Sequence, residues 1–249
     1  MAKQYTIRPL VISKFNLKKG DVIHRLFYGE TYWAPNVTWF IEGADRNILI
    51  DTSISAETAA KYTETHVQDA SSFEDALSSV GLEPEDIDVV ILTHLHFDHC
   101  AHTKKCTNAE VLVQRAELDF AYNPHPVFAG AFDKDLIDGC TIVPVQGDME
   151  VLPGIDLISV PGHTPGTQAV SIQTAKGKAI ISGFCACRET FYPPAPKLAW
   201  GRERSGPVAA PGLFIDAFKA YDAVVKIKGM ADILIPNHDA AIFDMKTIP

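Results

Sequence analysis

Ile91-Leu92-Thr93-His94-Leu95-His96-Phe97-Asp98-His99-Cys100 decides how this chain is read. Three histidines and one aspartate fall within the six residues from His94 to His99, directly after an apolar run. Imidazole and carboxylate are the ligands that a borderline divalent cation such as zinc prefers. Val89-Val90-Ile91-Leu92 reads as a buried strand that ends where the polar cluster begins. On α/β scaffolds, reactive groups collect at the C-terminal ends of strands. The bland alternative, a histidine-rich surface loop that binds nothing, explains neither that strand nor the distant histidines described below.

Working outward, the pattern repeats. Ser159-Val160-Pro161-Gly162-His163-Thr164-Pro165-Gly166-Thr167 follows another strand, and its glycines and prolines give the loop a fixed shape that presents His163. Ile180-Ile181-Ser182-Gly183 leads to Phe184-Cys185, and Ile233-Leu234-Ile235 leads to Pro236-Asn237-His238-Asp239. Candidate ligands thus stand at four predicted strand ends.

The rest of the chain reads as an α/β fold. Strands are expected over 5–12, 22–28, 36–42 and 46–51, then over 111–114, 141–145, 155–160, 168–174, 178–182 and 233–235. Helices are expected over 56–80 with a break at 66–72, over 116–122, over 128–137 and over 213–228. Val37, Trp39 and Ile41 alternate with Thr38, Phe40 and Glu42, although Phe40 spoils a clean polar face. The proline-rich stretch from Cys185 to Gly212 reads as a pocket wall, a lid or a subunit contact. No linker separates the two β-then-α halves, so one domain over 1–249 is expected.

Composition narrows the function classes. A net charge of -9 argues against a nucleic-acid footprint. Met1–Arg8 opens without a long apolar segment or cleavage signal, so neither a signal peptide nor a membrane span is expected. An odd count of five cysteines suggests no disulfide framework, and a reducing cytoplasm is the expected compartment.

His94-Leu95-His96-Phe97-Asp98-His99 matches the HxHxDH signature of the metallo-β-lactamase superfamily, and Pro161–Thr167 resembles its PGHTPG loop. Asn237-His238-Asp239 resembles the terminal G-H-D. Within that superfamily the chain is most similar to the N-acyl-homoserine-lactonase-like hydrolases, on the Gly43–Asp51 segment, the Asp148–Pro153 turn and the His238-Asp239-Ala240 ending. The resemblance implies an αββα sandwich, with two mixed sheets packed together and helices outside. It implies two zinc ions between the sheets, although one ion, or iron or manganese, is compatible. His94, His96 and His163 would hold the first metal, and Asp98, His99 and His238 the second. Asp51 would orient a ligand by hydrogen bonding. Metal-bound hydroxide would attack a lactone or other ester, with Asp98 positioning the water and moving the proton. A small-molecule substrate, no nucleic acid, no membrane and the option of a homodimer complete the expectation.

The chain departs from this pattern where a bridging aspartate usually follows a glycine. Here Gly183 precedes Phe184 and Cys185; phenylalanine cannot ligate, whereas a cysteine thiolate can. Cys185 is therefore the candidate replacement. Lactonases of this kind often place a tyrosine three residues after that aspartate; here Cys187 stands there, leaving Tyr192 or Tyr28 to substitute. Trp33, Phe128, Phe132, Phe191, Tyr192 and Trp200 are candidate pocket walls, or equally core or subunit contacts. A thioester, phosphodiester or β-lactam substrate, a di-iron redox centre and a non-catalytic binding protein are the competing readings.

Overall fold

The structure, a computed structural model, describes residues 3–194 and 206–249. Strands β1 (Thr6–Lys18), β2 (Thr31–Glu42), β3 (Ile48–Ile50), β4 (Val67–Asp69), β5 (Val89–Ile91), β6 (Glu110–Gln114) and β7 (Thr141–Val145) form one mixed sheet in the order β4-β1-β2-β3-β5-β6-β7. Strands β8 (Met149–Leu152), β9 (Ile155–Ser159), β10 (Gln168–Thr174), β11 (Gly177–Ile181) and β12 (Ile233–Ile235) form a second, in the order β12-β11-β10-β9-β8. Helices α1 (Lys19–Val22), α2 (Ala56–Ala59), α3 (Phe73–Ser78), α4 (Phe97–Cys100), α5 (Arg115–Tyr122), α6 (Arg188–Phe191) and α7 (Ala217–Met230) complete the described elements. The architecture is the αββα sandwich.

Side-chain alternation builds the layers. Along β3, Ile48 and Ile50 enter the core between the sheets while Leu49 faces the outer layer; along β5, Val89 and Ile91 face in and Val90 faces out. A strand buried on both faces is apolar throughout, which is why these segments show no polar alternation. The same reason accounts for Phe40. Val37, Trp39 and Ile41 meet Ile155, Leu157 and Val170 of the opposite sheet, whereas Phe40 packs with Leu10, Phe73 and Leu77 beneath α3. On the far side, Ala223, Val224 and Ile227 of α7 cover Ile158, Ala169 and Ile180.

Four sequence expectations change. No strand forms over 22–28: Val22 ends α1, Ile23 makes a single bridge to Pro211, and the chain then turns, because Arg25 and Phe27 hold φ of 60° and 55°, outside the extended region. The stretch 56–80 is two short helices separated by β4, which pairs with β1. Residues 128–137 form two single 3₁₀ turns, and Asp133 accepts a hydrogen bond from Asp135 N in place of helix continuation. The last helix starts at Ala217, where Asp216 accepts from the backbone N–H of Phe218 and Lys219. Strand β8 was not anticipated, since its residues were read as a turn. No helix among the described residues is long and apolar enough to cross a membrane.

Trp39 is 1% exposed at the centre of the inter-sheet core. Trp39→Ala is expected to cost about 3–5 kcal/mol, read as a lower denaturation midpoint in urea.

Candidate metal centre

Three strand ends deliver the clustered donors. The segment after β5 carries His94 and His96, and α4 carries Asp98 and His99; the loop after β9 carries His163, and the segment after β12 carries His238. The donor atoms of His94, His96 and His163 lie within 4.8 Å of one another, and so do those of Asp98, His99 and His238. The sequence-predicted histidines and Asp98 therefore come together from parts of the chain as far apart as residues 94 and 238.

Hydrogen bonds settle which nitrogen each ring presents. Thr93 Oγ1 donates to Asp51 Oδ2 at 2.9 Å, so its contact with His94 Nδ1 at 3.1 Å is one in which the ring N–H donates. His163 Nδ1 donates to Leu213 O at 2.8 Å, and His238 Nδ1 to Pro35 O at 3.2 Å. His99 Nδ1 donates to Asp51 Oδ2 at 2.7 Å. With Nδ1 occupied, each ring turns Nε2 toward the others.

His94 Nε2 and His163 Nε2 stand 3.2 Å apart. Both are bare acceptors in the tautomers just derived, so no hydrogen lies between them. Two nitrogens bound at ~2.0–2.1 Å to one tetrahedral ion stand about 3.3–3.4 Å apart. The donor set therefore fits a cation and leaves lone pairs opposed without one.

Ionisation agrees with that chemistry. Burial, reinforced by the neighbouring imidazoles, holds His94 and His96 well below the usual histidine range. Burial lowers His163 to about 4, and it lowers His238 as well. Neutral imidazole is the metal-binding form. His99 goes the other way: burial opposes its charge, but Asp98 and Asp51 together push it up to about 9. Its Nε2 lies 3.4 Å from Asp98 Oδ2.

Asp51 lies at the end of β3 and is 1% exposed. Besides His99 and Thr93 Oγ1 it accepts from Thr93 N at 2.8 Å, so one carboxylate fixes the start of the histidine motif and its far end. A second buried carboxylate escaped the sequence reading. Glu117 of α5 accepts from Leu95 N at 2.9 Å, from Thr164 Oγ1 at 2.5 Å and from Gly166 N at 2.9 Å. It locks the His94–His99 loop to the His163 loop. Gly166 is obligatory at this contact, because a Cβ there would lie 2.3 Å from Glu117 N. The sequence signal was a lone glutamate on a short helix, indistinguishable from a solvated one.

The cluster forms the floor of a cavity of about 420 Å³ whose walls include Phe15, Leu17, Tyr62, Phe97, Phe128 and Phe214. No lysine or arginine lines it among the described residues. Cys185 does line it, but its thiol belongs to neither donor cluster. It packs with Val22, Ile23, Leu26 and Cys187, and burial pushes it well above the usual thiol range. Cys187 is buried in the same apolar group, while Tyr192 and Tyr28 are exposed and do not line the cavity. Tyr62 is the cavity's tyrosine, and its hydroxyl donates to Asp133 at 2.6 Å. Of the predicted aromatic walls among the described residues, only Phe128 lines the cavity directly; Phe132 backs His96 edge to face, Trp33 packs against His66, and Phe191 lies in the core under α7. Trp200 lies outside the described residues.

Two measurements check this geometry. Metal content of Cys185→Ala is expected to equal that of the wild type; loss of one equivalent would make the thiolate a ligand. The lowered histidines bind fewer protons folded than unfolded, so metal-stripped protein is expected to lose stability as pH falls from about 6.5 toward 4. His99 contributes with the opposite sign, and its share is lost as pH rises toward 9. A thermal midpoint flat from pH 7 to 4 would contradict the arrangement.

Comparison with known proteins agrees with the geometry. Residues 31–183 match the metallo-beta-lactamase superfamily. An N-acyl homoserine lactonase of Bacillus sp is 30% identical over 176 residues, covering 66% of this chain and 69% of the relative. The solved structure of an N-acyl homoserine lactone hydrolase with N-hexanoyl-L-homoserine at its catalytic metal center superposes with a TM-score of 0.75 at 22% identity, covering 98% of this chain and 96% of that one. AidC, a dizinc quorum-quenching lactonase, superposes at 0.66 with 15% identity, covering 96% and 89%. The match over 31–183, which holds the His94–His99 motif and His163, makes this chain a hydrolase member of the metallo-beta-lactamase superfamily.

Proposed function

We propose that this protein is a metal-dependent lactonase or esterase acting on a neutral substrate with an apolar group. The observation that carries the reading is a six-donor cluster lining a largely apolar cavity in which no lysine or arginine stands among the described residues. A phosphodiester would bring a permanent anion to described walls that offer no lysine or arginine. A lactone or ester brings no charge, and its alkyl or acyl part matches the aromatic walls. The lactonase relatives support the same class.

His94, His96 and His163 would hold one ion, and Asp98, His99 and His238 another; zinc suits this donor set. When bound, such ions supply Lewis-acid activation of a carbonyl and of water. The chain's own groups do the rest. Asp51 and Glu117 keep the imidazoles oriented. Phe97, Phe128 and Phe214 hold the apolar part of the substrate and displace water. Asp98 directs Oδ2 toward His99 and His238, at 3.4 and 4.0 Å from their Nε2 atoms. Its Oδ1 accepts the proton of the attacking water and returns it to the leaving alkoxide.

Zinc-loaded protein is expected to open acylated lactones and aryl esters faster than a thioester, a phosphodiester or a chromogenic β-lactam. Asp98→Asn is expected to lower kcat by roughly 10²–10⁴-fold. A protein that opens no lactone or ester at any metal loading overturns the proposal.

A further inference from the structure

Asn36 lies outside every motif of the sequence, yet it is 2% exposed beside the candidate metal centre. It belongs to β2. Its Nδ2 donates to Asp98 Oδ2 at 3.2 Å, and its Oδ1 accepts from the Ser53 hydroxyl. The Asp98 carboxylate only accepts, which removes the ambiguity of a primary amide: the NH₂ end faces Asp98, and the carbonyl end takes the hydroxyl hydrogen of Ser53.

Ser53 is held as firmly. Asp51 and Ser53 have φ of 56° and 55°, a left-handed conformation uncommon outside glycine. Strain of this kind persists only where surrounding contacts enforce it. Here Thr52 N donates to His99 O at 2.7 Å, and Ala101 N donates to Ser53 O at 3.2 Å. The corner 51–53 thus grips α4 on its backbone while Asn36 reaches its Asp98 side chain.

The preceding residue completes the pattern. Pro35 O accepts from His238 Nδ1 at 3.2 Å. Two adjacent residues of β2 therefore touch Asp98 and His238, both in the second donor cluster. The first cluster is oriented from elsewhere, His94 by Thr93 and His163 by Leu213. The same Asp98 oxygen that Asn36 contacts is the one nearest His99 and His238.

We infer that Asn36, oriented by Ser53, is the positioning residue of the Asp98–His99–His238 half of the centre, and that it fixes the Asp98 rotamer that a second metal ion requires. The inference rests on the metal-site reading above. It makes the two halves separable: loosening Asn36 weakens one ion and spares the other.

The test is zinc competition against a chromophoric chelator, with metal equivalents per chain counted after dialysis. Wild type, Asn36→Ala, Ser53→Ala and His163→Ala are compared, with circular dichroism as the folding control. Asn36→Ala is expected to lose affinity for one equivalent by ~10–100-fold and to keep the other unchanged. Ser53→Ala leaves the amide in place but frees its orientation, and a smaller loss at the same equivalent is expected; it stands in should Asn36→Ala fail to fold. Asn36→Ala combined with His163→Ala is expected to lose both. On a lactone or ester, Asn36→Ala should lower kcat with KM little changed. Equal loss of both equivalents, or no loss of either, overturns the inference. A wild type that binds no zinc at all overturns the metal-site reading instead.

Discussion

Neutral imidazoles that face one another across a buried space are the constraint on which this structure turns. Nδ1 of His94, His163 and His238 each donates to an oxygen of the protein. Their Nε2 atoms converge, and two of them sit 3.2 Å apart with no hydrogen to share. Such an arrangement is unfavourable in a low-dielectric interior unless a cation fills it. The surroundings hold it in place at a cost in solvation: Asp51 at 1% and Glu117 at 0% exposure are carboxylates removed from water. Each is compensated by converging N–H and O–H donors, which is the condition under which a buried charge is tolerated.

The fold supplies the rigidity this needs. Strands β3 and β5 are short, parallel neighbours buried on both faces, so the chain leaves them at fixed positions beside one another. Asp51 and the histidine motif emerge from those adjacent ends. From the opposite sheet, β11 and β12 run parallel and end near Gly183 and His238. A Cβ at Gly183 would meet Gln168 O at 1.9 Å, so only glycine lets this corner pack against β10. Sheet edges and loop closures thus converge on one rim, where both donor clusters assemble.

The cavity above that rim gives the centre its chemical character. Its walls are mainly aromatic and aliphatic, and its charged groups are acidic. Among the described residues no lysine or arginine lines it. The place where a bridging carboxylate is expected holds a thiol packed among aliphatic side chains. In the second donor cluster Asp98 is the one carboxylate, and Asn36 donates to its Oδ2.

The sequence by itself determined the strands that precede the motif and pointed to the six residues that cluster, and the motifs' family resemblance implied the sandwich. The first two were readable because they depend on local pattern: apolar runs for doubly buried strands, glycine and proline for fixed loops, and closely spaced histidines for a metal site. Tertiary structure alone decided the rest. Glu117, Asn36 and Ser53 look like ordinary polar residues in sequence, since their importance comes from partners 47 to 49, 62 and 17 residues away. The left-handed backbone at Arg25 and Phe27 likewise has no signature in residue type, and it turned an expected strand into a turn. Hydrogen-bond direction and ring orientation are properties of three-dimensional neighbours, so which nitrogen each imidazole turns toward the others is settled only after the chain has folded.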